Sequence, residues 1–162
     1  MRKTIMAGAA VTVAAALAIA GAAMATTSTG TEHFSFIQTA TSGNQNLYSA
    51  IATGDFTAGG TALLPSRKPG TLRFSGGTIT LTNKPGKPKS TANLKLCLQT
   101  YAESGTYTIV SGTGAYKGIS GSGKYTLKFT SVGPIVKGKC AQNANAVANQ
   151  GIITANGPVS LP

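Results

Sequence analysis

From residue 33 onward the apolar positions recur with a period of two. Phe34, Phe36 and Gln38 share one face, with His33, Ser35 and Ile37 on the other. Leu72 and Phe74 flank Arg73, and Ile79 and Leu81 are bracketed by Thr78, Thr80 and Thr82. Leu94, Leu96 and Leu98 alternate with Lys95, Cys97 and Gln99, and Tyr125, Leu127 and Phe129 with Lys124, Thr126, Lys128 and Thr130. Successive side chains on a strand point to opposite sides, so each run predicts a strand with one apolar face. Thr, Val, Ile, Tyr and Phe supply the β preference.

Glycine and proline punctuate these runs. Thr53-Gly54-Asp55 predicts a turn, and Glu103-Ser104-Gly105 a three-residue hairpin between Leu94–Ala102 and Thr106–Val110. Pro65 to Gly70 and Lys84 to Pro88 read as longer loops, because proline cannot donate into a ladder. The best helical candidate, Cys140 to Val147, is rich in Asn and reads instead as an irregular loop. About eight strands result, at intervals of roughly 8–16 residues. Strands with one apolar face must stack two sheets or close one, and closure removes both exposed edges. The expected fold is all-β, a closed antiparallel eight-stranded barrel in preference to a sandwich.

The beginning of the chain has a different pattern. Arg2 and Lys3 precede an apolar, Ala-rich run from Ile5 to Ala20, and Ala23-Met24-Ala25 has the small-x-small form of a cleavage site. Charge, apolar run and cleavage box in that order predict a secretory signal over 1–25, cleaved after Ala25, with a single domain over 26–162. A membrane anchor is the alternative, but the run is shorter than the roughly 20 strongly apolar residues a bilayer requires. No other stretch is apolar enough to span a membrane.

The whole chain has 162 residues, with 14 Lys+Arg against 3 Asp+Glu. Without Arg2 and Lys3 the mature part keeps 12 basic and 3 acidic residues, a net charge of +9. Two cysteines in an exported chain argue for one disulfide, Cys97–Cys140, over two free thiols, a metal site or a nucleophile.

Residues 111–125 are glycine-rich. Gly118 to Lys124 has the spacing of a phosphate-binding loop, but Tyr125 stands where Ser or Thr should hold magnesium, and a strand follows where a helix should begin. Gly112, Gly114 and Gly118 have the wrong spacing for a dinucleotide fold. Glycines at such intervals suit a sharp corner or close backbone approach, with Tyr116 packing across the gap.

Gly112-Thr113-Gly114-Ala115-Tyr116-Lys117-Gly118-Ile119-Ser120-Gly121, before Gly123-Lys124-Tyr125, resembles the signature hairpin of the allene oxide cyclase and dirigent barrels. With its leader, Cys140 and terminal Gly157-Pro158-Val159-Ser160-Leu161, the chain is also similar to small exported actinobacterial proteins. The resemblance implies an eight-stranded barrel of lipocalin-like shape with a mainly apolar lumen, often trimeric in relatives. Relatives use acidic and arginine side chains, or a glutamate with polar helpers, inside the cavity. Here the acids are Glu32, Asp55 and Glu103: two fall in expected turns and Glu32 at the start of the mature chain, so none is matched to a family catalytic position.

The remaining chemistry is sparse. His33 is the only imidazole and alternates away from Phe34 and Phe36, and no nucleophile elbow accompanies it. One His and a bonded Cys pair cannot assemble a zinc site, so neither metal nor cofactor is expected. Arg67, Lys68, Lys84, Lys87 and Lys89 lie in two loops, where they serve solubility or attract anionic envelope polymers. Nucleic acid is not an expected partner of an exported chain without aromatic–basic interleaving. The expected function is a secreted, non-catalytic barrel binding a small apolar ligand in its lumen. The alternatives are a cyclase- or dirigent-like isomerase and a cationic envelope-associated protein. The isomerase needs Glu32, Asp55, Glu103 or Arg73 to point inward.

Overall fold

A computed structural model describes residues 27–42, 45–65, 69–141 and 144–162. The expected signal segment and the loop residues Arg67 and Lys68 lie outside the described residues. The long strands are β1 (Ser28–Ser42), β2 (Gln45–Thr53), β3 (Ala58–Pro65), β4 (Gly70–Phe74), β5 (Gly77–Pro85), β7 (Leu98–Gly112), β8 (Ser120–Val132) and β11 (Ala148–Leu161). They pair antiparallel, each with its neighbour in that order, and β11 returns to β1 to close an eight-stranded barrel. Closure leaves none of the eight as a free edge.

Three short strands decorate the barrel. β6 (Lys89–Asn93) pairs with Leu98–Ala102 of β7, whereas β5 pairs with Gly105–Gly112 of the same strand, so β5 and β6 occupy one position end to end. β9 (Ile135–Val136) and β10 (Lys139–Cys140) form a hairpin between β8 and β11. Disulfide Cys97–Cys140 ties the β6–β7 turn to that hairpin, across a sequence separation of 43.

The period-two runs become the inner face. Phe36 stands opposite Ala50 on β2 and Ile153 on β11, and Leu72 opposite Ala62 and Ile79. All six are buried, so successive strands deliver apolar side chains to one interior. The threonines between them face outward, as the alternation requires.

One end of the barrel is plugged. Phe56, from the β2–β3 turn, packs its ring 5.1 Å from Tyr116 and 6.3 Å from both Phe34 and Phe74. Tyr116 lies on a single 3-10 turn, Gly114–Tyr116, between β7 and β8. Gly114 takes a φ of +62°, and a Cβ at Gly112 would overlap the Tyr116 carbonyl, so this tight corner excludes larger residues. Gly118 has positive φ in the same connection, and Gly121 and Gly123 lie on β8.

Four sequence expectations are corrected. Leu94 to Cys97 is a turn rather than a strand, leaving Leu94 and Leu96 64% and 59% exposed. Asn93 Oδ1 accepts the Lys95 and Leu96 N–H groups, and this local turn bonding overrides the alternation. Glu103-Ser104-Gly105 is no hairpin but the middle of continuous β7. Gly105 stands opposite Tyr125 on β8, whose ring covers the place its Cβ would fill. Glu32, expected only as a residue near the start of the mature chain, lies inside the regular strand β1 and is 0% exposed. Lys84 and Lys89 stand on strand ends of β5 and β6, with only Lys87 of the three in the connection.

Candidate functional site

The inner face does not fill the barrel. A cavity of about 410 Å³ lies inside it, walled by apolar side chains that include Phe34, Phe36, Tyr48, Leu81, Leu127 and Ile153. Pro65, Gly70 and Pro85, which bound the β3–β4 and β5–β6 connections, line it at the end away from the aromatic plug. Spaces of this size and lining are typical of small-molecule sites.

One charged side chain lines the cavity among the described residues, Glu103. It is positioned by parity. On continuous β7 the residues Tyr101, Glu103, Gly105 and Tyr107 share a face, and three of them line the cavity. Tyr101 donates its hydroxyl to Glu103 Oε2 at 2.6 Å, and Tyr125, from β8, donates to Oε1 at 2.5 Å. Both carboxylate oxygens are thereby engaged, each keeping a second lone pair. Burial, followed by the bond to Glu103, pushes the Tyr125 phenol up to about 12, although Asn83 opposes the shift. The Tyr101 phenol is raised chiefly by its hydrogen bond to Glu103. Both tyrosines therefore remain protonated donors through the neutral range.

A second carboxyl lies deeper. Glu32 Oε2 accepts the Phe56 N–H at 3.1 Å and so fastens the turn that carries the plug. Its Oε1 is buried without a partner, as are Tyr107 Oη and Asp55 Oδ2. Burial raises the Glu32 pKa, the Phe56 and Asp55 backbone N–H groups oppose the rise, and the Asp55 charge adds to it. Tyr107 is pushed up to about 12 by burial first and then by Glu32. Removal from water disfavours the ionised form of each group.

Of the four ionisable residues on which inward chemistry depended, Glu32 and Glu103 point into the barrel. Arg73 is exposed on the outer face of β4, and Asp55 accepts the Ser28 hydroxyl at 2.6 Å in the β2–β3 turn. His33 is exposed, and Lys84, Lys87 and Lys89 all face solvent. Among the described residues no three His, Cys, Asp or Glu side chains converge as metal ligands, and no helix is long and apolar enough to cross a membrane. The Tyr101–Glu103–Tyr125 group was hidden by the expected turn at Glu103. The signal that reveals it is the unbroken parity from Tyr101 through Tyr107.

Fold and cavity together define a closed antiparallel barrel whose apolar lumen carries a tyrosine-bound carboxylate. Comparison with family models, with curated proteins and with solved structures finds no match to this chain.

Proposed function

We propose that the protein is an exported binding barrel of the allene oxide cyclase and dirigent type, taking a small, mainly apolar molecule into its lumen. The observation that carries this reading is the cavity of about 410 Å³ inside the barrel. The hydrophobic effect rewards an apolar guest at about 25 cal/mol per Å² removed from water, and the tyrosine–glutamate group supplies one polar anchor. The disulfide supports an oxidising compartment. Titration with N-phenyl-1-naphthylamine, a neutral apolar fluorophore, tests the reading. Saturable fluorescence enhancement, reversed by competing neutral phenolics, is expected. The absence of enhancement overturns it.

A second reading is an isomerase or coupling-directing activity in the same lumen, favoured by the inward placement of Glu103. A carboxylate between two phenols can accept a proton from a bound substrate or stabilise developing positive charge. Under this reading E103Q abolishes stereochemical excess in the products of phenol coupling driven by an added one-electron oxidant, which takes the two electrons released per new bond. Racemic product from the unaltered protein contradicts it.

A further inference from the structure

Resting on the proposal that the lumen binds a small molecule, we infer that the guest is an organic cation: an ammonium group on an apolar body, held with its charge at Glu103. Glu103 is the one charged residue among the described residues lining the cavity, and no Lys, Arg or His is among those described lining residues. Its two phenol partners donate hydrogen bonds but bring no positive charge, so the Glu103 carboxylate has no cationic partner among the described lining residues. Each carboxylate oxygen retains a lone pair for a further donor. Phe34, Phe36, Tyr48 and Tyr107 line the same space, and aromatic π systems attract cations most strongly where water is excluded.

Charge is segregated by the fold. In the described part of a strongly basic chain the lysines are exposed, whereas two of its three acidic residues, Glu32 and Glu103, point into the barrel. The surface lysines oppose an approaching cation at long range, but exposed charges are screened over about 8 Å at physiological salt. Contact with Glu103 in the low-dielectric lumen is screened far less. An anionic guest meets the reverse situation, with its head group desolvated beside a carboxylate. A neutral alcohol gains one hydrogen bond without the charge term, and hydrogen bonds to charged groups are the stronger ones.

The test uses one apolar body with three heads, namely 3-phenylpropylammonium, 3-phenylpropan-1-ol and 3-phenylpropanoate, titrated calorimetrically into the protein at neutral pH. The ammonium is expected to bind at least about tenfold more tightly than the alcohol, with the carboxylate weakest. E103Q should lower ammonium affinity far more than alcohol affinity and so remove the roughly tenfold preference for the ammonium, and a preference that survives in E103Q contradicts the inference. Equal or weaker ammonium binding in the unaltered protein overturns the cation inference, and alcohol binding then leaves the lumen reading intact. If the neutral fluorophore does not bind, the lumen reading itself falls. Should E103Q not fold, amide shifts settle the location: the ammonium must perturb Glu103 and Leu127, and perturbation confined to the outer surface contradicts the inference.

Discussion

Glu32 shows how much one residue can depend on its partners. Its carboxyl is shut from water yet holds the Phe56 N–H, so the same side chain both strains against burial and fastens the plug. Because its pKa is raised above the ordinary 4.5, the folded chain binds a proton there more readily than the unfolded chain. The stability gained is fully present below about that value and is lost as pH rises through the folded pKa. E32Q, which keeps a carbonyl for Phe56, should therefore remove part of the loss of stability on going from pH 5 to pH 8, measured as melting temperatures. Parallel pH profiles for the two proteins would contradict this. E32A, which orphans the Phe56 N–H, should instead cost about 1–3 kcal/mol at either pH.

The tyrosines provide a second residue-scale expectation. Tyr107 and Tyr125 are pushed up to about 12, and burial raises Tyr48 and Tyr116 while Glu103 raises Tyr101. Tyrosinate absorbance at 295 nm should thus develop above the ordinary pKa of 10 in the folded protein. The matching stability is present below pH 10 and is lost as pH climbs toward 12. A normal tyrosine titration without unfolding would contradict the burial described here.

Among the elements, the strands most legible in sequence were those whose alternation carries bulky apolar residues. Phe34 and Phe36, Ile79 and Leu81, and Tyr125 and Leu127 all face the interior as their periodicity requires. Leu94 and Leu96 show the same alternation but lie in a turn, because Asn93 offers their backbone a nearer partner. The Glu103–Gly105 stretch misled in the opposite direction. A glycine beside polar residues resembles a turn, yet Gly105 makes room for the Tyr125 ring across the ladder, a long-range relation invisible in the local run. The candidate site was missed with it, since a residue assigned to a turn has no inward face.

Two element-scale changes test the frame. G112A places a methyl group against the Tyr116 carbonyl and should destabilise the barrel by about 1–3 kcal/mol in denaturant. Removing Cys97–Cys140, which bridges a sequence separation of 43, should cost about 4 kcal/mol by chain entropy. Since that bridge joins the β6–β7 turn to the β9–β10 hairpin, C97S/C140S should first increase hydrogen exchange at Leu98–Ala102 and Ala148–Gln150. Uniform exchange across the barrel would contradict a local clamp.

At the scale of the molecule, composition spoke clearly about what lies outside and poorly about what lies inside. A large basic excess marked the surface, and the exposed lysines occupy it. The chain has three acidic residues, but scarcity does not predict position, and two of them point into the barrel. Cavity volume was equally illegible, because it depends on how far opposite walls stand apart once the sheet has closed, a property no single strand contains.

Methyl NMR during titration with N-phenyl-1-naphthylamine tests whether the barrel is hollow and binds through its interior. Ile152 and Ile153 are chain neighbours on opposite faces of β11, the first exposed and the second lining the cavity. Binding in the lumen predicts saturable shifts at Ile153, Leu81 and Leu127, with Ile152, Ile37 and Ile51 unmoved. Shifts confined to the outer methyls, or to none, would contradict it.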